Sequence, residues 1–146
     1  MALKRLDNVA VVVDDLDAAI AFFLELGMEL EGRATVEGDV VDRVVGLRGT
    51  RSDIAMLRTP DGHGCLELTR YQHPAAVGPD PESEPANTRG MGRAMFNVDD
   101  IDDVVARLQA LGGTLVGEIV QYENAYRLCY LRGPEGIIVG LAQDVA

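Results

Sequence analysis

The chain has no tryptophan, and its aromatic side chains are three phenylalanines and four tyrosines, 5% of 146 residues. A binding surface built on indole stacking is excluded, and any aromatic wall must be made of phenylalanine or tyrosine. Cations are scarce: 13 Lys and Arg stand against 24 Asp and Glu, a formal net charge of −11. Binding to nucleic acid or to an anionic membrane needs a basic footprint, so neither is expected. Lysine occurs only as Lys4, and this preference for arginine points to a bacterial source of high G+C content. No apolar run approaches the ~20 residues that span a bilayer. The start, Met1-Ala2-Leu3-Lys4-Arg5, lacks the apolar core of a signal peptide, so a cytoplasmic location is expected.

Two cysteines, Cys65 and Cys129, sit inside apolar runs and read as small hydrophobes in a reducing compartment. The two histidines, His63 and His73, occupy loop positions whose spacing matches no metal-ligand pattern. Gly90-Met91-Gly92 lacks the third glycine and the strand-to-helix setting of a phosphate loop, and no nucleophile elbow occurs. With 47% hydrophobic and 25% charged residues, the remaining composition is that of an ordinary globular chain, long enough for one compact core.

What is present is a repeat. Val13-Asp14-Asp15-Leu16-Asp17 returns as Val98-Asp99-Asp100-Ile101-Asp102. The same offset carries Leu26-Gly27 onto Leu111-Gly112 and Gly32 onto Gly117, while Pro60-Asp61-Gly62 answers Pro134-Glu135-Gly136. Two copies at so long a period indicate a duplicated module, not a solenoid.

Within the first copy, Leu6 to Val13 reads as a strand. Asp14 or Asp15 then caps a helix with Leu16, Ala19, Ile20, Phe23 and Leu26 on one face, stopped by Gly27. A strand from Met28 to Val36, a short helical piece around Val40–Val45, and strands Ser52 to Thr59 and Gly64 to Tyr71 follow. Residues 73–92 hold four of the six prolines and form a linker. The second copy repeats the order: strand Ala94 to Val98, a helix with Ile101, Val104, Val105, Leu108 and Leu111 on one face and stopped by Gly112-Gly113, then strands Thr114 to Gln121, Tyr126 to Arg132 and Ile137 to Ala142. The expected organisation is a first βαβββ module (1–72), a Pro-rich linker (73–92) and a second βαβββ module (93–146), together one α+β domain of curved mixed sheets around a cleft. The aspartate clusters fit helix caps and first-turn charges better than a carboxylate trap.

This βαβββ duplication, with V-D-D-(L/I)-D after the first strand and P-(D/E)-G before the last, resembles the vicinal oxygen chelate superfamily. That group includes glyoxalase I, extradiol dioxygenases, fosfomycin-modifying enzymes and bleomycin-resistance proteins. The resemblance implies a divalent-ion site on the first and last strands of each module, at positions that here read Asn8, Glu67, Arg93 and Gly140. One carboxylate and one amide, beside a permanent cation and a residue without a side chain, make a poor metal set. No metal and no other cofactor is therefore expected. Arg93 either pairs with Glu67 in place of the metal's charge or points to solvent.

Strand alternation places Ala10, Val12, Cys65 and Thr69 beside Glu67, and Met95, Asn97, Ile138 and Ala142 with Arg93 and Gly140. Tyr71 continues the Glu67 face, and Tyr126, Leu128 and Tyr130 form another row next to Gln121-Tyr122. The candidate ligand-binding residues are thus Asn8, Cys65, Glu67, Tyr71, Arg93, Met95, Tyr122, Tyr126 and Tyr130.

Three functions are compatible with these features. A metal-independent binding protein that sequesters an apolar or aromatic natural product, as in antibiotic resistance, fits the broken metal set best. Lacking tryptophan, it would take a ligand other than bleomycin. A divalent-metal-dependent lyase, isomerase or dioxygenase needs apparatus that the four positions lack, although Glu67 as base and Arg93 as oxyanion partner would permit metal-free chemistry. A sensor or subunit with a vestigial pocket is the third. The resemblance also implies a homodimer.

Overall fold

The computed structural model describes residues 3–78 and 84–145. The chain divides into two compact units, Met1–Gly78 and Pro79–Ala146.

In the first unit the order is β1 (Val9–Val12), α1 (Leu16–Leu26), β2 (Glu29–Glu37), α2 (Asp39–Val45), β3 (Arg51–Arg58) and β4 (Cys65–His73). The sheet runs β1-β4-β3-β2, with β1 parallel to β4 and the other pairs antiparallel. Asp15 caps α1 by accepting the Ala18 N–H at 3.0 Å, a contact of a kind worth about 1 kcal/mol. Gly27 ends the helix at φ 122°, a conformation costly for any residue with a Cβ. Leu16, Ala19, Ile20, Phe22, Phe23 and Leu26 are buried, and the two phenylalanine rings meet edge to face at 5.3 Å. Ala55, Leu57, Leu66 and Leu68, cross-strand neighbours on β3 and β4, are buried likewise.

The second unit contains β5 (Ala94–Asn97), α3 (Ile101–Ala110), β6 (Thr114–Leu115), β7 (Val120–Tyr122), β8 (Tyr126–Arg132) and β9 (Ile138–Asp144). Its sheet is β5-β9-β8-β6, with β7 also on β8. Both units share one plan: the first strand lies parallel to the last, Ala10 beside Glu67 in one and Met95 beside Gly140 in the other. Asp100 caps α3 as Asp15 caps α1, accepting the Asp103 N–H at 3.1 Å. Ile101, Val104, Val105 and Leu108 are buried, as are Cys129, Leu131, Val139 and Leu141 on the sheet. The mixed α+β architecture expected from the repeat is what is found.

Several boundaries differ from the expectation, each for a stated reason. The strand expected from Leu6 starts at Val9, because the parallel ladder begins with Val9 opposite Leu66, near the start of β4. The last strand of the first unit continues to His73, which pairs with Arg51. The single strand expected over Thr114–Gln121 is two strands. Leu115 pairs with Leu131 and Val120 with Leu128, so residues 116–119 stand opposite only Cys129 and Tyr130. At the equivalent repeat position β2 carries a smaller irregularity between Leu30 and Gly32. Gly32 and Gly117 thus mark the same bend, which splits the strand only in the second unit.

Candidate functional site

In each unit one face of the sheet carries the helix-side core and the other carries the candidate residues. On the first unit, Cys65, Glu67, Thr69 and Tyr71 alternate with the buried Leu66 and Leu68, so they lie on the face opposite the core. Register adds Arg58 beside Cys65, Met56 and Ala10 beside Glu67, and Ile54 and Val12 beside Thr69. The Thr69 hydroxyl donates to a Glu67 carboxylate oxygen at 2.8 Å. Cys65, Glu67 and Tyr71 are half-buried. Asn8 is exposed and stands one residue before β1, outside the ladder in which a first-strand position was expected.

On the second unit, Met95, Gly140 and Tyr130 are cross-strand neighbours. Asn97, Ala142, Leu128 and Val120 form the next row, and Asp144, Tyr126 and Tyr122 the last. Arg93, one residue before β5, lays its guanidinium over the Tyr130 ring, 4.6 Å from the centroid. Such cation–π contact attracts the cation to the ring face without using its N–H donors. Tyr122 and Tyr126 stack at 5.7 Å with their planes 19° apart. The Asn97 amide donates to Asp144 at 3.3 Å. The structure therefore brings Arg93, Met95, Tyr122, Tyr126 and Tyr130 onto one face of one unit, and Cys65, Glu67 and Tyr71 onto one face of the other.

At Gly140 the space beside the backbone is taken by a neighbour. A Cβ built there would lie 2.2 Å from the Met95 sulfur, because the Met95 thioether crosses the position a side chain would need. The Met95 side chain is flexible and half exposed, yet in this arrangement it takes the space a metal ligand would occupy. Among the described residues no three His, Cys, Asp or Glu side chains converge as a metal site. Chemically, Asn8, Glu67, Arg93 and Gly140 supply one strong oxygen donor, one weak one, one cation and no fourth group. That set does not fit the divalent ion that the resemblance implies.

Both histidines make loop or strand-end contacts. His63 donates its backbone N–H to Asp61, and the His73 ring meets the Gly49 carbonyl at 2.9 Å. Cys129 is buried, and burial pushes its thiol up, away from the reactive thiolate. Cys65 is likewise a free thiol.

Two residues on the second face were not singled out from the sequence. Arg132 follows Tyr130 by two positions and donates to the Gly136 carbonyl at 3.3 Å and the Glu84 carbonyl at 2.5 Å. Asp144 follows Ala142 in the same way. Extending the alternation by one step at each strand end would have found both.

A separate polar depression of about 420 Å³ lies at the start of α1, among Asp14, Asp15, Asp17, Arg33, Asp53 and Arg70. Its two arginines each meet a carboxylate: Arg33 binds Asp17 at 3.0 Å, and Arg70 lies 3.6 Å from Asp53 and donates to the Asp14 carbonyl. Hydrogen bonds from Thr35 and then Gln72 hold the Asp53 carboxyl below its usual range.

Comparison with known proteins agrees with this geometry. The family described as Glyoxalase/Bleomycin resistance protein/Dioxygenase superfamily matches over residues 5–141. A crystal structure of a glyoxalase family protein from Bacillus cereus is 52% identical, with 100% of this chain and 99% of that one covered and a TM-score of 0.95. At lower identity the fold recurs in an antibiotic-binding protein from Streptomyces (24% identity, 99% and 98% covered, TM-score 0.58). It recurs also in a genomically encoded fosfomycin resistance protein from Listeria monocytogenes (15% identity, 99% and 94% covered, TM-score 0.59). No curated protein matches the chain.

Proposed function

The chain belongs to the glyoxalase/bleomycin resistance protein/dioxygenase superfamily, and from that premise we propose that it is a metal-independent binding protein for a small apolar or aromatic molecule. The observation that carries this reading is the Met95 thioether lying over Gly140. A metal-using member needs a donor at that position; here there is no side chain, and a soft apolar group fills the direction in which one would project. Arg93, where the resemblance implies a second ligand, repels a cation instead.

The same face has what an apolar ligand needs. Tyr122, Tyr126 and Tyr130 offer flat amphipathic rings, Met95 an adaptable thioether, and Leu128 and Ala142 an aliphatic floor. The fold accommodates such a role, as the Streptomyces antibiotic-binding protein illustrates. A protein that protects a cell this way acts by mass action, holding a natural product at low free concentration without turning it over. We place it in the cytoplasm as a homodimer, with the two βαβββ modules joined by the Pro-rich stretch of residues 73–92.

With no tryptophan present, tyrosine emission reports mainly on this face, which carries three of the four tyrosines; Tyr71 lies on the first unit. Titration with a panel of aromatic natural-product antibiotics in EDTA should give saturable quenching by at least one compound. Tyr126→Leu should weaken that binding by about 1 kcal/mol, the typical worth of an aromatic contact beyond its area. Binding that appears only after a divalent metal is added would contradict metal independence and favour the enzymatic alternative.

A further inference from the structure

Resting on that reading, we infer that the ligand carries an anionic group, a carboxylate or a group of similar shape, which Arg93 receives at one end of the second unit's open face. The chain is strongly acidic, and its arginines are mostly matched: Arg33, Arg51, Arg58, Arg70 and Arg127 each face a carboxylate. Within its unit, and among the described residues, Arg93 has no carboxylate partner; its one contact is the Tyr130 ring beneath it. Contact with the ring face spends none of the guanidinium N–H donors, and such a fork receives a planar carboxylate through two parallel hydrogen bonds.

Charge along the face is graded. Arg132 lies on the same face as Tyr130, two positions along β8, and its guanidinium donates to the Gly136 and Glu84 carbonyls. In the row of Tyr130 lies Met95, then come Leu128 and Ala142, none of them charged, and at the far end the Asn97–Asp144 pair beside the stacked Tyr122 and Tyr126. From Tyr130 to Tyr126 the strand advances roughly 13 Å at ~3.4 Å per residue. The face therefore suits an elongated molecule with an anion at the Arg93 end and an aromatic or apolar body over the thioether and tyrosines. An acidic chain repels anions at long range, so a preference for an anion must come from local contacts.

Naphthoate and its neutral isostere naphthamide test this by calorimetric titration of the protein in EDTA at low salt. Naphthoate is expected to bind at least tenfold more tightly than naphthamide, with Arg93→Gln abolishing that ratio. Arg93→Lys, a point charge without the fork, should restore only part of the preference. Equal binding of the two probes overturns the anion assignment while the aromatic-binding reading stands. A naphthoate preference that survives in Arg93→Gln overturns it too, because the anion then sits elsewhere. Binding of neither probe overturns this inference together with the reading on which it rests.

Discussion

Gly113 and Gly140 both sit where a methyl group would collide, and the identity of the neighbour sets the cost. At Gly113 a Cβ would meet the Leu131 side chain at 2.8 Å and the Leu108 carbonyl oxygen at 2.9 Å. Leu131 and Leu108 are fully buried, so neither can move cheaply. Gly113→Ala should therefore cost about 2–3 kcal/mol, toward the upper part of the usual overpacking range. At Gly140 the obstacle is the Met95 thioether, half exposed and free to swing out. Gly140→Ala should cost less than about 1 kcal/mol, and the cost should vanish in the Met95→Ala background. Denaturant midpoints of Gly113→Ala, Gly140→Ala, Met95→Ala and the Met95→Ala/Gly140→Ala pair, each against the parent, check both statements. Alternation along β5 and β9 is enough to place Met95 and Gly140 on one face from sequence. That the thioether lies across the glycine depends on a rotamer, which no periodicity encodes. The stacking of Arg93 on Tyr130 was hidden for the same reason.

Helix α3 shows how far an element can be read in advance. Its start, its Asp100 cap and its buried stripe follow from the spacing of Ile101, Val104, Val105 and Leu108 after an aspartate, but Leu111, which continues that spacing, falls just past the helix end at Ala110 and is half exposed. What ties it to the sheet does not follow. Gln143 accepts the Ile101 N–H at 2.8 Å, and Arg127 grips Asp102 through two hydrogen bonds of 2.7 and 3.1 Å. Arg127 holds the Asp102 carboxyl below its ordinary range, so folding favours its ionised form. A carboxyl depressed in the folded state stabilises above its unfolded pKa of about 4, and that contribution is lost as pH falls through the lower folded value. Asp53 acts in the same direction, as does Asp42 through the Thr50 N–H and Asp61 through the Thr59 hydroxyl. Stability should decline below about pH 4. Asp102→Asn should be less stable at neutral pH, with the gap to the parent protein closing in acid. Urea midpoints at neutral and acid pH would reveal it, and a gap that persisted in acid would refute the assignment. The split of β6 from β7 was illegible because Gly117 permits a bend without specifying how many residues it takes up.

Across the whole molecule, duplication carries the fold, and divergence sets the two units' candidate site residues apart. Arg58 and Arg132 each donate to the carbonyl of the glycine that closes the neighbouring turn, Gly62 and Gly136, both at φ +81°. Such matches made the architecture readable from the repeat alone. The site positions do not match in this way: Ala10 and Glu67 in one unit answer Met95 and Gly140 in the other. Repetition predicts what both copies keep, and is silent on what one copy has replaced. The central claim is that this replacement has left no place for a catalytic metal. Elemental analysis of the purified protein, followed by calorimetric titration with zinc, nickel, manganese and ferrous iron, tests it directly. The account predicts no stoichiometric binding tighter than micromolar for any of the four. One tightly held ion per chain would contradict it.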